Sequence, residues 1–139
     1  MSAASSNAVS LRVGALALAV TRIGGGLLFA QHGAQKLLGW FGGLGGPGQT
    51  AALYSQMGAA GVLELGGGLL IAIGLFTRPV AIVLIGEMLY AFFTVHFPRG
   101  GAPMQNQGEL ALLYICIFVA LAGLGAGAFS VDDLLFGRD

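Results

Sequence analysis

The sequence predicts an all-α protein, a four-transmembrane-helix antiparallel bundle, and three observations carry that prediction. Of 139 residues, 56% are hydrophobic and 9% charged, with a mean hydropathy of +0.86; an average soluble domain is about 25% charged. Four apolar runs, near Leu11–Leu38, Leu53–Phe76, Pro79–Phe97 and Glu109–Ala128, each approach the roughly 17–25 helical residues that cross a bilayer. Glycine and proline clusters separate them. Backbone polar groups cannot be left open in lipid, so helices of alternating direction are the expected solution.

The chain, 1–139, reads as one domain: a flexible tail over 1–10, four helices over 11–128 and a polar tail over 129–139. A cleaved signal at the start is rejected, because Arg22 interrupts the apolar region and Leu28 is too large for the position three before the cut. After the first helix, GWFGGLGGPGQT breaks the run at Gly39–Thr50, with Trp40 and Phe41 suited to the membrane interface. Thr77-Arg78-Pro79 makes a short second turn, with Pro79 at the start of the next helix. The third connection, Pro98–Gln107, holds two prolines and Gln105, Asn106 and Gln107. Beyond Ala128, Ser130 or Asp132 is placed to cap a short surface helix. Arg12, Arg78 and Arg138 fall on the side of both termini and Lys36 and Arg99 on the other, so both termini are expected in the cytoplasm.

The zero net charge and the absence of a basic run exclude nucleic acid as an expected partner. One cysteine, Cys116, excludes an intrachain disulfide and reads as a small buried hydrophobe. Arg22-Ile-Gly-Gly-Gly-Leu-Leu-Phe-Ala resembles Glu64-Leu-Gly-Gly-Gly-Leu-Leu-Ile-Ala. In antiparallel helices the two glycine triplets can meet, small residues allowing close backbone approach.

Polar groups inside the spans carry the functional expectation, because a charge at bilayer depth costs about 2.5–3.5 kcal/mol. They are Arg22, His32, Lys36, Glu64, Glu87, His96 and Glu109. Alternating topology gathers His32, Lys36, His96 and Glu109 at the non-cytoplasmic end, where groups from several helices can build a ligand site. Arg22, Glu64 and Glu87 lie nearer the midplane and read as buried ion pairs. Glu87 and His96, nine positions apart, take opposite faces of an ideal helix and can share a site only if that helix is distorted. No metal is expected: no HxxxH or ExxH spacing occurs, and the Lys36 ammonium would repel a cation.

In ordered pieces the chain resembles the DoxX family of small bacterial membrane proteins. The pieces are Arg22 with its glycines, His32-Gly33, Lys36-Leu37, Glu64-Leu-Gly-Gly-Gly, Gly74-Leu-Phe-Thr-Arg78-Pro79, Gly86-Glu87-Met88, His96-Phe-Pro98, Asn106-Gln-Gly108-Glu109, Leu113-Tyr114-Ile-Cys116 and Gly125–Asp132. Ala126 departs from it, since the family often has proline between these two glycines. The resemblance implies a multi-pass protein of the bacterial cytoplasmic membrane, loosely associated with quinone-linked redox chemistry. It implies functional positions at His32, Lys36, Glu64, His96 and Glu109.

The expected function is therefore an integral membrane redox-associated subunit binding a quinone or similar molecule, with His32, Lys36 and Glu109 as the candidate catalytic groups. Lys36 and His32 would hydrogen-bond a quinone oxygen, and Glu64 or Glu109 would relay protons. The chain carries no electron carrier of its own, so its partners would be the bilayer, a redox protein and further copies of itself. A non-catalytic scaffold or assembly subunit is the alternative, and a small carrier the third reading.

Overall fold

The computed structural model describes residues 3–137, and among them every regular element is helical. Three helices are long and apolar enough to cross a membrane: Asn7–Leu38, Gln56–Ile73 and Thr77–Arg99. A shorter apolar helix, Glu109–Leu124, follows. They are called here the first, second and third spans and the fourth helix. This is a multi-pass membrane protein.

The first helix begins earlier than expected. Its backbone is helical from Ala3 to Leu38, so the segment expected to be a flexible tail continues directly into the first span. From Asn7 to Gly14 the side chains are exposed, and this stretch projects past the packed part of the molecule. Met1, Ser2, Arg138 and Asp139 lie outside the described residues, and with them one of the three arginines used to orient the chain.

Lipid tails are as apolar as leucine, so burial alone does not drive helices together in a membrane; close backbone packing does. The first and second spans achieve it through glycine. A methyl group built on Gly26 would stand 2.6 Å from the Gly68 carbonyl oxygen and the Ala72 nitrogen, and one on Gly68 would stand 2.7 Å from the Gly26 carbonyl oxygen. Gly33 meets Gly61 and Leu65 in the same way. As numbers rise along the first span they fall along the second, so this pair runs in opposite directions. The meeting of the two glycine triplets is thus present, and extends a further two turns through Gly33 and Gly61.

The second and third spans each contain one wide π turn, at Leu63–Gly67 and Phe92–His96. The fourth helix packs along the third and buries Ala111, Tyr114, Phe118 and Leu121. This stripe at i, i+3, i+7 and i+10 is one helix face. Phe29 of the first span joins it edge-on, 4.8 Å from the Tyr114 ring and 4.9 Å from Phe118. Ile71, Ala81, Leu84, Met88 and Phe92 complete the core.

The polar tail folds back on the turn between the second and third spans. Ser130 caps the short helix Val131–Phe136, its Oγ accepting from the Asp133 amide. Asp132 works elsewhere: its carboxylate accepts from the Phe76 and Thr77 amides at 2.7 and 2.9 Å, filling donors that the start of the third span leaves open. Trp40 and Phe41 are exposed in the loop after the first span, in the manner of interfacial anchors.

Candidate functional site

A cavity of about 580 Å³ lies between the four helices, at the end where the first span finishes and the fourth helix begins. His32 and Lys36 reach it from the first span, Gln56 and Glu64 from the second, Glu87, Tyr90 and His96 from the third, and Tyr114 from the fourth. Phe29, Met57, Leu63, Met88 and Leu110 supply apolar wall. Polar groups at the inner end of an apolar chamber are the usual form of a small-molecule site.

Lys36 and Glu64 form a salt bridge, Nζ to Oε2 at 2.5 Å, with both side chains largely withdrawn from solvent. Glu64 sits within the π turn of the second span. His32 stands one helical turn before Lys36 and meets the Tyr114 ring edge-on at 6.0 Å. His96 brings its Nδ1 to 3.1 Å from the Asn106 carbonyl oxygen, which ties the end of the third span to the following loop. Gln56 donates to the Tyr90 hydroxyl at 3.0 Å, linking the second span to the third at the cavity's exposed rim.

Glu87 and His96 line this cavity together. An ideal helix would point them apart, but the π turn Phe92–His96 intervenes, and its wider coil slows the rotation of successive side chains. The distortion that the spacing demands is the one the helix contains. Such turns are frequent at functional sites.

Three expected roles are corrected by the geometry. Arg22 pairs with neither Glu64 nor Glu87; it is fully buried and its guanidinium donates to four backbone carbonyls, of Ile71, Ala72, Ala126 and Phe129. Ile71 and Ala72 lie in the last turn of the second span, where carbonyls run short of helical donors and Ile71 has only the capping Gly74 amide, so Arg22 caps that terminus instead of neutralising a carboxylate at mid-membrane. Glu87 is no ion-pair partner: both its carboxylate oxygens are buried without a hydrogen bond. Glu109 does not join the cavity, since it opens the fourth helix on an exposed face, where a carboxylate suits the helix dipole. Cys116, seven residues on, shares that face and is exposed rather than buried.

Sequence reasoning missed Tyr114 and the full membership of Glu87. Tyr114 was legible as part of the Ala111, Tyr114, Phe118, Leu121 stripe. Tyr90 and Gln56 carried no such signal, because each faces outward as well as into the cavity.

Comparison with known proteins agrees with a membrane protein. The model of the family described as DoxX matches residues 17–97. A protein of Haemophilus influenzae described as "Uncharacterized protein" is 40% identical over 126 residues, covering 86% of this chain and 90% of that one. Inner membrane protein YqjF of Escherichia coli is 33% identical over 125 residues, 84% of this chain and 89% of its own. A Bacillus subtilis protein named "Putative oxidoreductase CatD" is 29% identical over 133 residues, 91% and 90% of the two chains. No solved structure matches the chain.

Proposed function

The chain belongs to the DoxX family, and from that premise we propose that it is a redox-associated membrane subunit whose intramembrane cavity binds a quinone or a similar polar-headed molecule. The observation that carries this reading is the convergence of His32, Lys36, Glu64, Glu87 and His96 on one apolar-walled chamber of about 580 Å³. Charges at this depth are costly, and a ligand head that uses them offsets the cost. The oxidoreductase name of one relative supports the same direction.

In this reading all four helices cross the membrane as an antiparallel bundle. A bound quinone supplies two-electron chemistry with its accompanying protons. The protein's own part is to hold and orient the head: Lys36 and His32 present N–H donors, while Glu64 and Glu87 set carboxyl groups beside it that can exchange protons with it. His96 closes the loop end, and Met57, Leu63 and Leu110 offer an apolar passage for the tail. Electrons come from a partner protein or from the substrate. Titrating the purified protein in nanodiscs with a short-tailed benzoquinone should give saturable binding. His32→Phe, which keeps a ring against Tyr114, should weaken it about tenfold; no saturable binding to the wild type would sink the proposal.

In this reading the protein lies in the cytoplasmic membrane, with both termini in the cytoplasm and the cavity in the outer half; the name of its Escherichia coli relative supports the choice of membrane. In a Cys116→Ala background, a cysteine introduced by Gly46→Cys should react with a membrane-impermeant maleimide added to intact spheroplasts. Reaction only in inverted vesicles would reverse the orientation.

A scaffold role is favoured by one observation, the Lys36–Glu64 pair, which can lock the first span to the second without any ligand. That reading predicts stability effects at Lys36 and Glu64 and no effect on small-molecule binding.

A further inference from the structure

Among the described residues, one acceptor group in the lining of the cavity is left without a donor. Lys36 gives one of its three N–H groups to Glu64. Glu87 brings two carboxylate oxygens that are buried and bonded to nothing in the protein. A buried polar group without a partner is among the most costly features a fold can hold, and such groups in native proteins mark a missing ligand or a functional role. The π turn that follows Glu87 adds His96 to the same wall, which brings the loop end of the third span to the cavity beside it.

We infer that Glu87 is the ligand-facing acceptor of this cavity, and that the cavity prefers an apolar-tailed molecule whose head donates a hydrogen bond, a phenol or quinol hydroxyl, over a head that only accepts. The inference rests on the proposed ligand-binding role of the cavity and narrows the chemistry of what enters it. The hydroxyl donates to a Glu87 oxygen, and the tail lies along Met57, Leu63 and Leu110 toward the rim marked by Gln56 and Tyr90. A primary ammonium also donates, and decylammonium is therefore the competing probe.

The test uses two redox-inert probes of nearly equal shape, para-decylphenol and its O-methyl ether, titrated against the full-length protein in nanodiscs. The phenol should bind at least about tenfold more tightly, the size of one hydrogen bond to a buried acceptor otherwise left unsatisfied. Glu87→Leu should reduce that preference to below about threefold, and Glu87→Gln, whose amide oxygen still accepts, should keep part of it. Equal affinity of phenol and ether for the wild type would overturn the inference without recourse to a variant. So would a preference that survives Glu87→Leu, or decylammonium binding more tightly than the phenol. If the short-tailed benzoquinone still binds in those cases, the cavity's role stands and only the Glu87 assignment falls. If no probe binds, both fall together.

Discussion

Arg22→Leu should destabilise the protein by about 3–5 kcal/mol, the cost typical of removing one partner from a buried charged network. Four carbonyl oxygens, of Ile71, Ala72, Ala126 and Phe129, lose the guanidinium at once, and Ile71 alone of them keeps a second donor, the Gly74 amide. No water is at hand in a fully buried site to replace it. Arg22→Lys should recover little, because an ammonium is a single point and cannot span carbonyls from the second span and from the turn after the fourth helix together. The effect is read as a fall in thermal unfolding midpoint in detergent, on the order of 10 °C. A loss below about 1 kcal/mol in Arg22→Leu would show that this junction does not depend on the guanidinium.

Lys36→Met should produce a comparable loss, about 3–5 kcal/mol, because it leaves the Glu64 carboxylate buried without its counter-ion. The informative variant is the pair. Lys36→Met combined with Glu64→Leu removes both charges, and apolar replacement of a buried ion pair is often neutral or stabilising. Stability should therefore return toward the wild-type value in the double variant. If the pair is a structural lock alone, every property returns with it. If Lys36 and Glu64 also meet a ligand, the double variant is stable and binds quinone at least about tenfold more weakly. Measuring unfolding and quinone affinity on the four proteins of this cycle separates the two roles.

Much of the architecture was legible because lipid imposes simple rules. Apolar length marked the spans, and the repeated glycine triplets foretold the close crossing realised by Gly26 and Gly68. The polar residues were legible as a set, but their partners were not. Arg22 suggested a carboxylate, since one-letter sequence displays side-chain charge and hides the carbonyls that end a helix. The start of the first helix was missed because Ala3–Ser10 carries small polar residues that signal neither helix nor coil strongly. Glu109 was drawn inward by topology, which sets depth along a helix and says nothing of rotation about it. The Ala111, Tyr114, Phe118, Leu121 stripe sets that rotation and turns Glu109 and Cys116 outward. For Glu87 and His96 the spacing posed the right condition, a distorted helix, without locating the distortion.

The central claim is that the chamber around His32, Lys36, Glu64 and Glu87 holds a small molecule. Native mass spectrometry of the protein released gently from membranes tests it most directly, comparing the wild type with Lys36→Met/Glu64→Leu. The wild type should carry a quinone-class molecule in about one-to-one ratio, and the equally stable double variant should have lost it. A wild type that is folded, free of any bound small molecule and indifferent to added quinone would contradict the claim, and would leave the polar groups of this chamber as a lock between helices.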